Sequence, residues 1–206
     1  ALVLPCLYSE LEGPALGGIV EHLKKVPYLN EIVIALGRAS ALEFRRAKEY
    51  FKGLPQDVRL IWIDGPRVQE TLNLLVSQEI DVGLPGKGQS CWIAFGYVLA
   101  RRRSKVIVLH DCDIVTYDRE YVARLCYPIA NPNLSYEFCK GYYARVTDRL
   151  HGRVTRLFIT PMIRTLQRVV GPHPLLNFLD GFRYPLAGEF AMVTDLAWTN
   201  RIPGDW

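Results

Sequence analysis

The sequence lacks several features that would place it in a specialised class of protein. It contains no apolar run of the ~18 to 20 residues that a membrane-spanning helix needs, no internal repeat and no low-complexity tract. These absences argue against an integral membrane protein, a repeat array and a disordered chain. Its five cysteines form no CxxC pair and no Cys/His cluster with the spacing of a zinc site. Because their number is also odd, we expect a reducing, cytoplasmic location rather than a disulfide framework.

A strong charge of either sign is also missing. The chain has 25 Lys and Arg against 21 Asp and Glu, which gives a net charge of +4. The one concentrated basic run, Arg101-Arg102-Arg103, stands at the end of a helical pattern, where positive charge complements the helix dipole. A solvated helix end is therefore favoured over a nucleic-acid-binding patch, and small anions are better candidate partners than nucleic acids.

Apolar residues are plentiful enough for one buried core. They make up 50% of the 206 residues, so we expect residues 1–206 to form a single domain. The first residues already read as a buried strand without an initiator Met, and residues 204–206 stop within a motif. We therefore expect this domain to be truncated at both ends.

Short apolar runs alternate with helical patterns in the first half of the chain. The runs cover residues 2–4, 32–36, 60–63 and 105–109. Pro14 begins one helical pattern, and Ser40 with Glu43 forms a capping box before another. Strands that are apolar throughout and alternate with helices are typical of a sheet covered on both faces. The pattern predicts an α/β fold with a doubly wound, mainly parallel sheet.

The second half has a different pattern. Residues 138–146 and 153–158 read as strands, and Thr160-Pro161 opens a helical pattern. This half is therefore predicted to be mixed α+β.

Two aspartates, Asp111 and Asp113, directly follow the fourth apolar run. Ligands of parallel sheets bind beyond the carboxyl ends of the strands, where both carboxylates are expected. Two hard oxygen donors suit Mg²⁺ or Mn²⁺, which also bind diphosphate oxygens and offset a leaving group's charge. The alternative is that one Asp caps a turn and the other is solvated. His110 alternates with Asp111 and should point the other way, so we do not expect it to be a ligand.

Several segments spread over almost the whole chain occur in an order that resembles one enzyme family. They are Leu4-Pro5-Cys6-Leu7 with Glu10, Pro85-Gly86-Lys87-Gly88, His110-Asp111-Cys112-Asp113, Lys140-Gly141-Tyr142-Tyr143, Gly152-Arg153-Val154-Thr155 and Pro185-Leu186-Ala187-Gly188-Glu189-Phe190. They resemble the retaining glucosyl-3-phosphoglycerate synthases and the related mannosyl enzymes, which have the GT-A fold. The Asp-x-Asp motif is shared by many transferases, whereas the last two segments are much more specific to this family. The resemblance implies that the domain is catalytic, with the mixed half on the acceptor side.

The resemblance also implies which residues bind the nucleotide-sugar donor. They are Pro5, Cys6, Leu7, Glu10, Gly86, Lys87, Asp111, Leu186, Ala187, Gly188 and Glu189. A lysine next to glycines can approach an anionic donor closely and act as a point charge, although an ordinary flexible loop is the alternative for Lys87. Glu189 resembles the residue that accepts hydrogen bonds from the donor sugar, with a structural salt bridge as its alternative.

The acceptor segment is implied to be Gly152, Arg153, Val154 and Thr155. Backbone N–H groups beside a glycine, an arginine fork and a threonine hydroxyl would supply convergent donors for a small dianion, whereas a plain β-turn is the alternative.

The catalytic and metal roles follow from the same resemblance. Asp113 is assigned to the metal, Asp111 to the metal or the donor, and both are counted as catalytic with Glu189. A further metal ligand, a histidine, is expected beyond Trp206.

The implied reaction transfers a hexosyl group, glucosyl in the first instance, from a UDP- or GDP-hexose to 3-phosphoglycerate. It retains the anomeric configuration by a front-face route without a protein general base. Two rivals are transfer to a polyprenyl phosphate at a membrane surface and a non-catalytic module that binds nucleotide sugars. The choices between uridine and guanosine and between glucose and mannose stay open. The resemblance allows a homodimer, because relatives are commonly dimers.

Overall fold

A computed structural model describes residues 1–142 and 153–204, which form six strands and eight α-helices. The strands are β1 Leu2–Leu7, β2 Glu31–Gly37, β3 Asp57–Trp62, β4 Val106–Leu109, β5 Phe138–Lys140 and β6 Phe190–Val193. The helices are α1 Pro14–Leu23, α2 Ala41–Phe51, α3 Pro66–Ser77, α4 Lys87–Arg101, α5 Arg119–Ala130, α6 Thr160–Val170, α7 Pro174–Asp180 and α8 Thr194–Thr199. A 3₁₀ turn, Tyr8–Glu12, follows β1, and a π-helical turn, Thr155–Ile159, precedes α6.

The six strands form one sheet in the order β3-β2-β1-β4-β6-β5. β1 pairs in parallel with both β2 and β4, and β2 pairs in parallel with β3. Every residue of β2 is buried, as is every residue of β1 except Leu7. A strand buried on both faces needs apolar residues at all positions, which explains the continuous apolar runs. The predicted α/β fold with a mainly parallel sheet is confirmed.

Local signals in the sequence account for the first helices. Pro14 occupies the first turn of α1, where its missing N–H costs no hydrogen bond. At the start of α2, the Glu43 N–H donates to Ser40 Oγ (3.3 Å) and the Ser40 N–H donates to Glu43 Oε2 (2.7 Å). The predicted capping box is therefore present.

The basic run after α4 has partners at the amino-terminal edge of the sheet. Arg103 Nη1 lies 2.8 Å and Arg101 Nη2 3.6 Å from Asp57 Oδ2. Arg101 Nε also lies 3.9 Å from a carboxylate oxygen of Glu31, which is fully buried. The run lies at the end of a helix as expected, but two of its three arginines form ion pairs with the sheet, which the prediction of a solvated helix end did not include.

The chain divides into two compact units. Ala1–Cys139 with Ala191–Trp206 form the first, and Lys140–Phe190 form the second. The first unit contains β1 to β4, α1 to α5 and α8, whereas the second contains α6 and α7. That residues 1–206 act as a single domain stays a prediction.

The predicted strand over residues 153–158 is wrong. Residues 153 and 154 are helical, and the π-helical turn then leads directly into α6. Thr155 and Ile163 are buried and lie eight residues apart, which places them on one helical face. The burial of this segment therefore follows a helical period rather than that of a strand. The predicted strand over residues 138–146 is represented by β5, while its part from residue 143 onwards lies outside the described residues.

Across residues 1–142 and 153–204, no helix has the length and apolar character needed to cross a membrane.

Candidate functional site

A pocket of about 680 Å³ opens where β1, β2, β3 and β4 end. Because β1 lies between β2 and β4, the pocket sits at the switch point of the sheet, the usual position of a ligand site in such folds. Sequence-predicted residues in its wall are Pro5, Cys6, Leu7, Glu10, Gly86, Lys87, Asp111 and Asp113. The fold therefore gathers the predicted residues of the first unit into one cavity.

Lys87 and Asp111 contact each other directly. Lys87 Nζ lies 2.5 Å from Asp111 Oδ1, with the two side chains 45% and 24% exposed. Lys87 is the first residue of α4 and Asp111 follows β4, so their contact depends on packing between elements distant in sequence. The ion pair places a positive charge beside the acidic motif, within reach of an anion in the pocket.

Four carboxylates line this pocket, and three of them, Glu10, Asp111 and Asp113, lie where β1 and β4 end. Asp113 is exposed, Asp111 is partly exposed and Glu10 is partly buried. The Leu7 N–H donates to Glu10 Oε2 (2.7 Å), which fixes the Glu10 side chain at the end of β1. Burial raises the pKa of Glu10, and the charges of Asp113 and Asp111 raise it further. This concentration of carboxylate oxygens is the donor set that Mg²⁺ or Mn²⁺ prefers, and a divalent cation would relieve the repulsion.

Two cysteines also line the pocket. Cys6 lies near the end of β1 and is 3% exposed, and Cys112 lies between the two aspartates and is 2% exposed. A hydrogen bond with Cys6, together with burial, raises the pKa of the Cys112 thiol well above its usual range. A donor-binding role was predicted for Cys6 and no role for Cys112.

His110 points away from this pocket, as its alternation with Asp111 predicts. It is fully buried, and its Nδ1 lies 2.9 Å from the Tyr117 hydroxyl. Its ring meets those of Tyr117 and Tyr121 edge to face, at 5.4 and 5.3 Å between centroids. Burial lowers the pKa of His110 to about 3, so the imidazole is neutral at physiological pH. We assign it to the core.

The other predicted donor residues belong to the second unit. Glu189 and Ala187 are buried, Gly188 is partly buried and Leu186 is 49% exposed. Burial lowers the pKa of Lys140, and the negative charge of Glu189 partly offsets that effect. Glu189 therefore has a cationic neighbour in the second unit. A sugar-binding role for Glu189 stays a prediction.

The predicted acceptor residues lie at the start of the long helical segment of the second unit. Arg153 and Val154 are exposed, whereas Thr155 is buried, and Gly152 lies outside the described residues. The described part of this segment is helical rather than a β-turn, so the plain-turn alternative does not hold for residues 153–155. Acceptor binding by these four residues stays a prediction.

Several polar residues of the pocket wall were missed in the sequence. Arg38 follows β2 and Asp64 follows β3, and both line the pocket with Asn73 and Gln89. Asp64 Oδ2 accepts a hydrogen bond from the Ala39 N–H (3.0 Å), which ties the two strand ends together. The rule that located Asp111, that ligands bind beyond the strand ends, would have found Arg38 and Asp64 as well.

The fold is similar to that of solved glycosyltransferases with the GT-A fold. The structure of glucosyl-3-phosphoglycerate synthase from Mycobacterium tuberculosis, solved in complex with Mn²⁺, UDP-glucose and phosphoglyceric acid, matches with a TM-score of 0.60 at 19% identity. The match covers 95% of this chain and 56% of that chain. Mannosyl-3-phosphoglycerate synthase from Rubrobacter xylanophilus matches with a TM-score of 0.56 at 23% identity, over 95% and 53% of the two chains. These similarities confirm the predicted GT-A fold.

In sequence, the chain is related to glucosyl-3-phosphoglycerate synthases, which confirms the resemblance drawn from its motifs. It is 49% identical over 205 residues to the glucosyl-3-phosphoglycerate synthase of Persephonella marina. It is 43% identical over 210 residues to that of Methanococcoides burtonii. Both matches cover 100% of this chain and 51% of the relative, so the chain spans about half the length of these curated relatives. No protein-family model matches the chain.

Proposed function

We propose that this chain is the catalytic domain of a retaining glycosyltransferase that moves a glucosyl group from a nucleotide diphosphate sugar to 3-phosphoglycerate. The observation that carries the proposal is the pocket that holds Lys87, Asp111 and Asp113 together, in a chain 49% identical throughout to such an enzyme. The reaction needs a site for a diphosphate leaving group, and the pocket offers two cationic side chains, Lys87 and Arg38, and a set of carboxylates for a metal.

Asp113 and Asp111 would hold Mg²⁺ or Mn²⁺. Their oxygens, with Glu10 nearby, form a hard donor set; burial chiefly raises the pKa of Glu10, and the added effect of the two aspartate charges supports a cation at this position. When bound, the metal neutralises the charge that develops on the nucleoside diphosphate as the sugar departs. The M. tuberculosis relative was solved with Mn²⁺ beside UDP-glucose, which supports the same cofactor here.

Lys87 would bind the donor phosphates. Lys87 forms an ion pair with Asp111 in the structure described here. When the donor binds, its diphosphate would replace Asp111 as the partner of the ammonium group, and Asp111 would coordinate the cation. Pro5, Cys6, Leu7 and Gly86 would supply the wall of the nucleotide site. The chain thus contributes positioning and electrostatic stabilisation rather than a nucleophile.

The second unit would bind the sugar and the acceptor. Glu189, together with residues 186–188, is proposed to accept hydrogen bonds from the sugar hydroxyls. Residues 152–155 are proposed to bind the phosphate and carboxylate of 3-phosphoglycerate. The exposed guanidinium of Arg153 supports this, because arginine binds such dianions in a bidentate manner.

We also propose a cytoplasmic location, supported by the five cysteines, none of which forms a disulfide. A homodimer stays a prediction from the resemblance.

A transfer assay with a panel of donors tests the function. The protein is incubated with UDP-glucose, GDP-glucose or GDP-mannose, each with and without 3-phosphoglycerate, in the presence of Mn²⁺. We expect a phosphorylated hexosylglycerate that requires both the acceptor and the metal. Donor binding in calorimetry without transfer or hydrolysis of any donor would instead identify a non-catalytic binding module.

A further inference from the structure

Three potential metal ligands converge on one side of the pocket. Cys6 Sγ, Cys112 Sγ and a carboxylate oxygen of Glu10 all lie within 4.8 Å of one another. The three residues come from the end of β1, the loop after β4 and the 3₁₀ turn. We name them the thiol cluster. Neither the predicted metal site nor the proposed transfer reaction uses the two sulfur atoms.

The sheet itself sets the position of the two thiols. In the parallel pairing of β1 with β4, Val3 lies opposite Leu109. Cys6 is the penultimate residue of β1, and the turn that follows β4 brings the Cys112 sulfur within 4.8 Å of the Cys6 sulfur at the edge of the sheet. Both are almost completely buried against the core, which restricts their side chains. The sulfur atoms are therefore preorganised rather than brought together by mobile loops.

The geometry of the thiol cluster is close to that of a tetrahedral metal site. Ligand atoms about 2.0 to 2.3 Å from a zinc ion lie roughly 3.3 to 3.8 Å apart. The three ligand atoms of the thiol cluster lie within 4.8 Å of one another, so small side-chain rotations would bring them to this spacing. Three protein ligands leave the fourth position open toward the pocket, as in zinc sites that also bind water or a small ligand.

The chemistry of the donors separates this cluster from the Asp111–Asp113 pair. Carboxylates alone suit Mg²⁺ and Mn²⁺, whereas two thiolates and one carboxylate select a softer ion. The negative charges of Glu10 and Asp111 act on Cys112 and would attract any cation that enters. Binding would release the two thiol protons to solvent, because thiolates and not thiols coordinate metals.

We propose that Cys6, Cys112 and Glu10 form a second cation site, selective for a thiophilic divalent ion such as Zn²⁺, whose occupancy excludes the nucleotide from the pocket. Cys6 and Glu10 are in the wall of the proposed nucleotide site, so an ion held by them stands where the donor would bind. The site goes beyond the proposed function, since it would bind metal whether or not the chain catalyses transfer. Its physiological effect would be inhibition of donor binding by soft metals.

Titration with Cd²⁺ in the presence of a phosphine reductant tests the site directly. Cd²⁺ bound to thiolates gives an ultraviolet charge-transfer band that oxygen ligands do not give. We expect the band to saturate at one ion per chain in the wild type and in the controls Cys126→Ser and Asp113→Asn. The band should be lost in the double variant Cys6→Ser/Cys112→Ser, and Glu10→Gln should weaken Cd²⁺ binding at least tenfold while keeping the band. Absence of the band in the wild type, or its persistence in the double variant, would overturn the proposal.

Two further measurements test the proposal. The first uses only the wild type and so does not depend on the folding of the double variant, and the second tests the competition between the ion and the nucleotide. Anomalous scattering from wild-type crystals soaked in Zn²⁺ should locate the ion between the two sulfur atoms, and an ion at Asp111 and Asp113 instead would refute the site.

Calorimetry with UDP and Mg²⁺ should show weaker UDP binding once one equivalent of Zn²⁺ is present. This loss should disappear in Cys112→Ser, and unchanged UDP affinity in the zinc-loaded wild type would refute competition. Neither experiment uses turnover, so failure here leaves the transfer proposal standing.

Discussion

The buried imidazole of His110 should make the stability of this protein fall in mild acid. The side chain is fully buried, and burial lowers its pKa to about 3, against 6.5 for the free side chain. Below pH 6.5 the unfolded chain gains a proton at His110, while the folded chain stays neutral until about pH 3. The unfolded state therefore binds more protons in this window, and the free energy of unfolding must decrease as the pH falls.

The size of the effect follows from the shift. Each pH unit below 6.5 should remove about 1.4 kcal/mol from the free energy of unfolding, and the full shift amounts to roughly 5 kcal/mol. Since a domain is stable by only ~5 to 15 kcal/mol, this single residue would account for a large part of acid unfolding.

Urea unfolding of the wild type and His110→Gln from pH 7.5 to pH 4 measures the effect. Glutamine cannot take up the proton, and it can still hydrogen-bond to Tyr117. The variant should be less stable near neutrality because glutamine packs less well than histidine in this site. The gap between the two proteins should shrink by about 1.4 kcal/mol per pH unit below pH 6.5. Parallel loss of stability in both proteins would refute the assignment of this effect to His110.

Three other predictions concern the fold and the pocket. Ser40→Ala removes the cap of α2 and should lower the free energy of unfolding by about 1 kcal/mol in chemical denaturation, whereas Ser77→Ala at the end of α3 should change it by less than about 0.5 kcal/mol. Leu23→Ala opens a cavity beside the fully buried face of α1 and should cost ~2 to 5 kcal/mol in the same measurement; a cost below 1 kcal/mol would contradict its place in the core. Lys87→Met removes the cation that faces Asp111 and should weaken UDP binding about tenfold in calorimetry without loss of folding, while undiminished affinity would remove Lys87 from the phosphate site.

Much of the first unit could be predicted because each of its elements has a strong local signal. The buried strands β1, β2 and β4 are apolar throughout, and α1 and α2 begin at a proline and a capping box. Helix α5 was missed although Asp118 caps it, since its apolar residues are interrupted by charged ones and Pro128 lies inside it. Its identity as a helix depends on packing against the sheet.

Only part of the site could be predicted from the sequence, because the rest depends on contacts between residues far apart in the chain. Asp111 and Asp113 could be placed at the strand end because they directly follow β4. The contact between Cys6 and Cys112 could not be predicted by searching for closely spaced cysteines, because it joins the end of β1 to the turn after β4, which are far apart in the chain. The strand prediction for residues 153–158 is wrong because the burial of Thr155 and Ile163 on one helical face favours a helix, and this packing cannot be seen in a segment of six residues.

The central claim is that the Asp111–Asp113 pair supports glucosyl transfer through a divalent cation. The most direct test is the rate of product formation from UDP-glucose and 3-phosphoglycerate at saturating Mn²⁺, compared between the wild type and Asp113→Asn. We predict that the wild type forms a product with retained anomeric configuration. The rate should fall ~100-fold or more in the variant, because it loses one preorganised electrostatic group. A variant that keeps the wild-type rate, or a wild type that needs no divalent cation, would contradict the claim.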